Sequence, residues 1–308
     1  MQSLTWTGRL ISRALWNSLT NNKANEPSNA KTIKKEAKLF SAVSGIPKDF
    51  SNNKMFQLNK YGDDAYFTAR YKTADVLGVA DGVGGWRNYG IDPGEFSSFL
   101  MKTCERLVTS GRFSCTEPTS LLARSYYELL ENKQPILGSS TACIVILNKE
   151  TSTLYTANIG DSGFVIVRRG KVIHRSEEQQ HYFNTPFQLS LPPLSHTTQV
   201  LGDRPECADT SQFQEGLVVH GDVILLATDG VFDNVPDSLL LAELVRAQGS
   251  KDPMQLQLVA NTIALMARTL AFDETYMSPF AIQARANGIS TQGGKPDDIT
   301  VLLAIVAL

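Results

Sequence analysis

The chain has 308 residues, 42% hydrophobic and 19% charged, with a net charge of -2. That is the make-up of an ordinary globular protein with ample length for a sizeable core. It carries no global electrostatic footprint for nucleic acid, and no apolar stretch is long enough to span a membrane. The four cysteines (Cys104, Cys115, Cys143, Cys207) are scattered, with no C-x-x-C pair. This argues against zinc and against a disulfide framework, and reads as free thiols in a reducing compartment.

The near-neutral charge hides an asymmetry. The first 40 residues hold seven Lys/Arg against two acids, and residues 1–25 contain no acid at all. Arg9 and Arg13 stand among Leu4, Trp6, Leu10, Ile11, Leu15 and Trp16, without the continuous apolar region of a secretory signal. A surface-docked helix would fit this pattern, but an amphipathic, arginine-bearing, acid-free start fits a mitochondrial transit peptide better. Residues 26–45 are polar and lysine-rich and read as a linker. One catalytic body is then expected over 46–308.

Within that body, the run from Gly62 to Tyr71 reads as a strand, followed by an apolar strand beginning at Val76. Asp92-Pro93 is a helix start, with Asp at the N-cap and Pro at the first helical position. Phe96, Leu100, Cys104 and Leu107 then keep helical spacing. A second helix is expected after Glu117-Pro118. Strands follow over Thr141–Leu147 and Leu154–Asn158, then a hairpin whose arms, Phe164–Val167 and Val172–His174, flank Arg168-Arg169-Gly170-Lys171. Residues 177–205 form a long polar excursion, of a length that is usually functional. Further strands are expected over Leu217–Val219 and Val223–Thr228. Two helices follow between Asp237 and Leu270, a third over Tyr276–Ala286, and a strand from Ile299 closes the chain. This order does not alternate as βαβ, so the expected fold class is α+β with mostly antiparallel sheets.

The acids share one placement. The run Val76–Ala80 ends on Asp81-Gly82, and Val223–Thr228 ends on Asp229-Gly230. Lys295-Pro296-Asp297-Asp298 opens the closing strand. A carboxylate at the tip of a buried strand is costly unless a cation or donors meet it. One Asp-Gly after a strand is an ordinary turn. Several acids aimed from sheet ends point to one shared site for a hard divalent cation.

Six motifs stand in order: Gly62-Asp63-Asp64-Ala65, Val79-Ala80-Asp81-Gly82-Val83-Gly84-Gly85, Gly138-Ser139-Ser140-Thr141-Ala142, Gly160-Asp161-Ser162, Ala227-Thr228-Asp229-Gly230-Val231-Phe232-Asp233-Asn234 and Asp297-Asp298-Ile299-Thr300. Together they resemble the type 2C, metal-dependent serine/threonine protein phosphatases over about Lys60 to Val306. The basic leader and the Gly-Val-Gly-Gly form of the second motif look most like the mitochondrial Ptc-seven branch. The resemblance implies a four-layer α-β-β-α sandwich with two Mg2+ or Mn2+ ions at one end of the sheets. By residue, Asp81 matches the acid bridging both ions, and Gly82 the residue whose carbonyl is a ligand. Asp229 and Asp297 match holders of the second ion. Asp64 and Asp63 match the first acid pair, which acts near the metals partly through water, and Asp161 and Asp233 match acids assigned to a weaker third ion. Asp81, Asp229 and Asp64 are the catalytic residues this implies.

The chemistry suits these residue types. Mg2+ and Mn2+ prefer oxygen ligands, and two such ions acidify a water and neutralise and orient a phosphate for in-line displacement. A glycine after Asp81 lets the backbone approach an ion closely. Phosphorylated proteins in the mitochondrial matrix are the substrates so implied, the 177–205 excursion is a candidate place for a docking partner, and a monomer is expected. Three positions depart from the family pattern: Asn59 in place of an Arg, Val83 in place of a His, and Gly163 in place of an Arg. These departures keep open a catalytically lapsed binding module, and a phosphatase of small metabolites is a further alternative. Against the lapsed module stands the full acid set, since a chain freed of catalysis has no reason to keep repelling carboxylates together.

Overall fold

The computed structural model describes residues 36–48, 61–193, 202–213, 218–250 and 252–308. The leader over 1–25, Asn59 and residues 194–201 of the excursion lie outside the described residues. Fourteen strands are found among them: β1 (Lys38–Ile46), β2 (Asp64–Arg70), β3 (Ala74–Asp81), β4 (Gly138–Ser140), β5 (Ala142–Asn148), β6 (Thr153–Ile159), β7 (Gly163–Arg168), β8 (Lys171–Arg175), β9 (Gln180–Tyr182), β10 (Thr185–Pro186), β11 (Leu189–Leu191), β12 (Asp209–Phe213), β13 (Val223–Ala227) and β14 (Ile299–Ala307). The helices are α1 (Pro93–Thr109), α2 (Pro118–Leu130), the single turn α3 (Asp229–Phe232), α4 (Asp237–Ala247), α5 (Pro253–Ala271) and α6 (Pro279–Ala286), with a 3-10 helix over Gly84–Tyr89.

Two five-stranded sheets run in the orders β1-β14-β13-β7-β8 and β12-β6-β5-β3-β2. Every pairing within them is antiparallel. Alternation explains the apolar runs, because successive side chains point to opposite faces and both faces are covered. Leu77 and Val79 face the other sheet, packing with Phe164, Ile166, Ile224, Leu226 and Leu302 in a central layer. Val76 and Ala80 face the other way, onto Phe96 and Leu100 of α1 and Leu121 and Leu122 of α2. The outer face of the first sheet, including Leu225 and Leu303, is covered by Leu240 and Leu244 of α4 and Val259 and Ile263 of α5. The result is the expected four-layer α-β-β-α sandwich.

Local chemistry sets the element ends. Asp92 caps α1 by accepting from Gly94 N at 3.0 Å, with Pro93 behind it. Asp252 caps α5 in the same manner through Met254 N at 2.9 Å, ahead of Pro253. Such caps contribute about 1 kcal/mol each. Arg169 and Gly170, both at positive φ (49° and 75°), make the tight β7–β8 turn.

The linker expected over 26–45 extends too far. Residues 38–46 form β1, paired with β14 along its whole length from Lys38↔Ala307 to Ile46↔Ile299. As an edge strand it buries Leu39 and Ala42 while Phe40 stays exposed, so its apolar pattern is weak and its lysine-rich flank masks it. Val218 and Val219, expected in a strand, are not in one. The excursion is partly regular: β9 pairs with β10, and β11 pairs with β4.

A chain beginning at residue 36 keeps β1 whole and is the reference for its contribution. One beginning at residue 47 loses β1 and leaves β14 as an unpaired edge. It should be less stable by about 3 kcal/mol or more from Leu39, Ala42 and the strand pairing. Equal midpoints would show that β1 is dispensable.

Candidate metal centre

The topology brings the acids to one end of the sandwich. Asp64 starts β2 and Asp81 ends β3, and the two are direct partners across that antiparallel pair. In the other sheet, Asp161 precedes β7, Asp229 follows β13 and Asp297 precedes β14, and β13 pairs antiparallel with both of its neighbours. A start and an end on antiparallel neighbours fall at the same sheet edge. Carboxylate oxygens of Asp81, Asp161 and Asp229 accordingly lie within 4.8 Å of one another.

Each acid is held by its surroundings. The Asp81 carbonyl accepts from Thr141 N at 2.9 Å and Ser140 Oγ at 2.8 Å, and Asp81 N donates to Thr141 Oγ1 at 3.2 Å. Asp64 Oδ2 accepts from the Thr228 hydroxyl at 2.8 Å, and that hydroxyl accepts from Thr300 N at 3.1 Å. Asp229 opens α3, with Thr228 at its N-cap, so its side chain is fixed by the first turn of that helix. A Cβ on Gly82 would meet the Pro93 carbonyl oxygen at 2.5 Å and that of Asp63 at 2.8 Å. Only glycine lets the chain pass there beside Asp81.

The electrostatics are those of crowded like charges. Burial pushes Asp81 well above the ordinary carboxylate range, and repulsion from Asp229, Asp64, Asp297 and Asp161 adds to it. Asp64 is raised by burial and then by Asp298 and Asp229, opposed by its hydroxyl donors. Asp161 is raised by burial and then by Asp229. Burial brings Asp233 and Asp297 each to about 7, with Asp229 adding to the rise in both. Among the described residues, Asp64 Oδ1, Asp161 Oδ1 and Asp229 Oδ1 are buried without a hydrogen-bond partner. Orphaned buried carboxylate oxygens that all repel one another are the donor set a hard divalent cation needs. The residues fit the metal.

Two further acids have partners of their own. Asp63, expected at the metals, is gripped by Arg87, whose Nε donates to Oδ2 at 3.2 Å while Nη2 donates to Oδ1. Asp298 is a loop clamp, accepting from Lys48 N at 2.6 Å and Asp63 N at 2.7 Å. Three residues at the site gave no sequence signal of their own. Lys295 puts Nζ 2.6 Å from Asp229 Oδ2 and 2.7 Å from Asp233 Oδ2. Glu178, at the root of the excursion, is raised by burial and feels Asp229 and Lys295. Arg87 lies in the 3-10 helix just after Gly82. Only Lys295 had an available clue, its place two residues before Asp297.

The departures from the family pattern have local causes where they are described. Val83 N donates to Ser139 O at 3.0 Å, so Val83 continues the contact with β4. A side chain at Gly163 would strike Ser176 Oγ, which accepts from Phe164 N at 2.9 Å.

Comparison with known proteins agrees with this geometry. A family model described as Protein phosphatase 2C matches residues 56–261. The Protein phosphatase PTC7 homolog of Danio rerio is 53% identical over 307 residues, covering 100% of this chain and 99% of its own length. The protein of that name from Homo sapiens is 52% identical, with the same coverage of both chains. Among solved structures, the photosystem II phosphatase PBCP superposes with a TM-score of 0.71 at 27% identity, covering 88% of this chain and 99% of that one. The catalytic domain of PstP, solved with 2 manganese ions, shares the fold at a TM-score of 0.53 and 14% identity, covering 88% of this chain and 100% of its own. With the acids gathered at one end of a four-layer sandwich and relatives matched along the whole chain, this protein belongs to the metal-dependent protein phosphatase 2C family.

Proposed function

We propose that the chain hydrolyses phosphoserine and phosphothreonine of mitochondrial proteins at a centre of two Mg2+ or Mn2+ ions. The observation that carries this reading is the convergence of Asp81, Asp161 and Asp229, two of them with a buried oxygen that has no other partner. In this reading Asp81, Gly82, Asp229, Asp297 and Asp64 hold the ions. When bound, two such ions acidify a water and neutralise the phosphate as it is attacked.

The chain's own part is positioning. Thr141 and Ser140 hold the Asp81 backbone, and Thr228 fixes one oxygen of Asp64 and leaves the other buried without a hydrogen-bond partner. Rigid mounting on two sheets keeps the acids in place without reorganisation during reaction. Val83 supplies no proton donor beside Asp81, so no side chain there serves the leaving group. Residues 1–25 carry the protein to the matrix in this reading.

Purified protein from residue 36 onward, given Mn2+, should dephosphorylate a phosphothreonine peptide, and EDTA should abolish this. Asp81→Asn should lower kcat/KM by about a thousandfold, roughly 4 kcal/mol of transition-state stabilisation. Activity surviving both would sink the mechanism, and faster turnover of a phosphorylated metabolite would overturn the substrate class.

The raised acids give a pH signature. Asp233 and Asp297, each at about 7 when folded, take up protons on folding between pH of about 4 and 7. Their contribution to metal-free stability is present at low pH and is lost as pH rises through about 7. Metal-free protein compared with an Asp233→Asn/Asp297→Asn variant should thus lose relative stability across that window, read as Tm. Stabilisation by Mn2+ should grow in the same direction, because metal ligands must be deprotonated. A relative Tm that rises from pH 4 to 7 would refute the assignment.

Deleting residues 1–25 should leave the protein in the cytosol of fractionated cells. Unchanged import would remove the leader from this reading.

A further inference from the structure

We propose that Lys295 is a built-in cation of the centre: its ammonium holds the place between Asp229 and Asp233 that a further divalent ion would need. The chain then takes two divalent ions and excludes a third. This rests on the metal-centre reading above and specifies how that centre is bounded.

Asp229 opens α3 and Asp233 follows it one turn later. Residues four apart share a helix face, so the two carboxylates form a pair on one side. Lys295 Nζ lies 2.6 Å from Asp229 Oδ2 and 2.7 Å from Asp233 Oδ2, with Asp297 Oδ2 at 4.0 Å. Oxygen ligands approach Mg2+ at about 2.1 Å. An ion bound by those same two oxygens would have to occupy the space of the ammonium. Both size and like charge exclude it.

The lysine is held there by its mounting. Asn234, fully buried, grips the Lys295 backbone in both directions: Oδ1 accepts from Lys295 N at 2.8 Å, and Nδ2 donates to Lys295 O at 2.9 Å. Phe280 lays its ring 5.2 Å from Nζ, an attractive face for an ammonium. The side chain is only 20% exposed. A surface lysine resting on a stray acid would have none of these supports.

The arrangement divides the acids. Asp229 gives Oδ2 to the ammonium and keeps Oδ1, which has no hydrogen-bond partner, while its carboxylate also lies within 4.8 Å of those of Asp81 and Asp161. Asp233 is neutralised by Lys295 and is a positioning residue. The third-ion role expected for Asp161 and Asp233 is closed by an amino group.

Counting Mn2+ decides the matter, with calorimetry for affinity and electron paramagnetic resonance for bound against free ion. Native protein should take two ions and Lys295→Arg two. Lys295→Met should take a third, weaker ion with a Kd of roughly 10⁻⁴–10⁻³ M, and adding Asp233→Asn should abolish it. In the native background, Asp233→Asn should leave the count at two. This arm keeps the proposal exposed to failure even where Lys295→Met does not fold. A native count of three, no gain in Lys295→Met, or loss of an ion in Asp233→Asn each overturns the role of Lys295. Native protein that binds no Mn2+ at all would sink the metal-centre reading itself, and the inference with it.

Discussion

The fold is arranged around like charges that must share one small volume. Elsewhere in the sandwich a buried carboxylate has a dedicated partner. Asp222 is gripped by Arg168 through two contacts of 2.8 Å. Asp75 meets Lys149 at 2.8 Å and Leu39 N at 2.8 Å. Each such pair offsets its desolvation with direct charge and hydrogen bonding. At the other end of the sheets this economy is broken, and Asp64, Asp81, Asp161, Asp229, Asp233 and Asp297 converge with one lysine among them. The unbroken apolar layers behind the acids supply the stability that this convergence withdraws, a division of labour common where catalytic geometry conflicts with folding.

Much of this was legible in the sequence because the site lies on the strands that read most clearly. Strands β3, β13 and β14 are covered on both faces, so they appear as near-continuous apolar runs, and an acid at the end of such a run stands out. Asp92-Pro93 marked the start of α1 for an equally local reason, a cap followed by a fixed φ. What could not be read depends on distant partners. Strand β1 carries only two well-buried apolar residues and owes its existence to β14, some 260 residues away. Asp63 meets Arg87, a partner in the 3-10 helix that its own neighbours in sequence do not announce. Lys295 has its place fixed by Asn234, which holds its backbone from 61 residues earlier in the chain. Val218 and Val219 have strand-favouring side chains but no neighbouring strand to complete a ladder.

The departures from the family pattern acquire physical content when placed. Ser176 Oγ stands against the position a Cβ at residue 163 would take, and it accepts from the backbone of the second strand residue, Phe164. Val83 extends the contact with β4 that also braces Asp81 through Ser140. Both positions are thus tied into the backbone contacts that frame the acids.

The position of β14 has a consequence for when the enzyme comes into being. It follows every other described strand in the chain, yet it lies inside its sheet between β1 and β13, and the residues just before it bring Asp297, Asp298 and Lys295. Its pairing joins the two ends of the described body, a contact of very long sequence separation, and such contacts are slow to close. A chain that stops short of this segment holds Asp64, Asp81, Asp161 and Asp229 without the lysine or the clamp that stand among them. The acid end of the sandwich is therefore tied to a contact between distant parts of the chain, and the two are completed together.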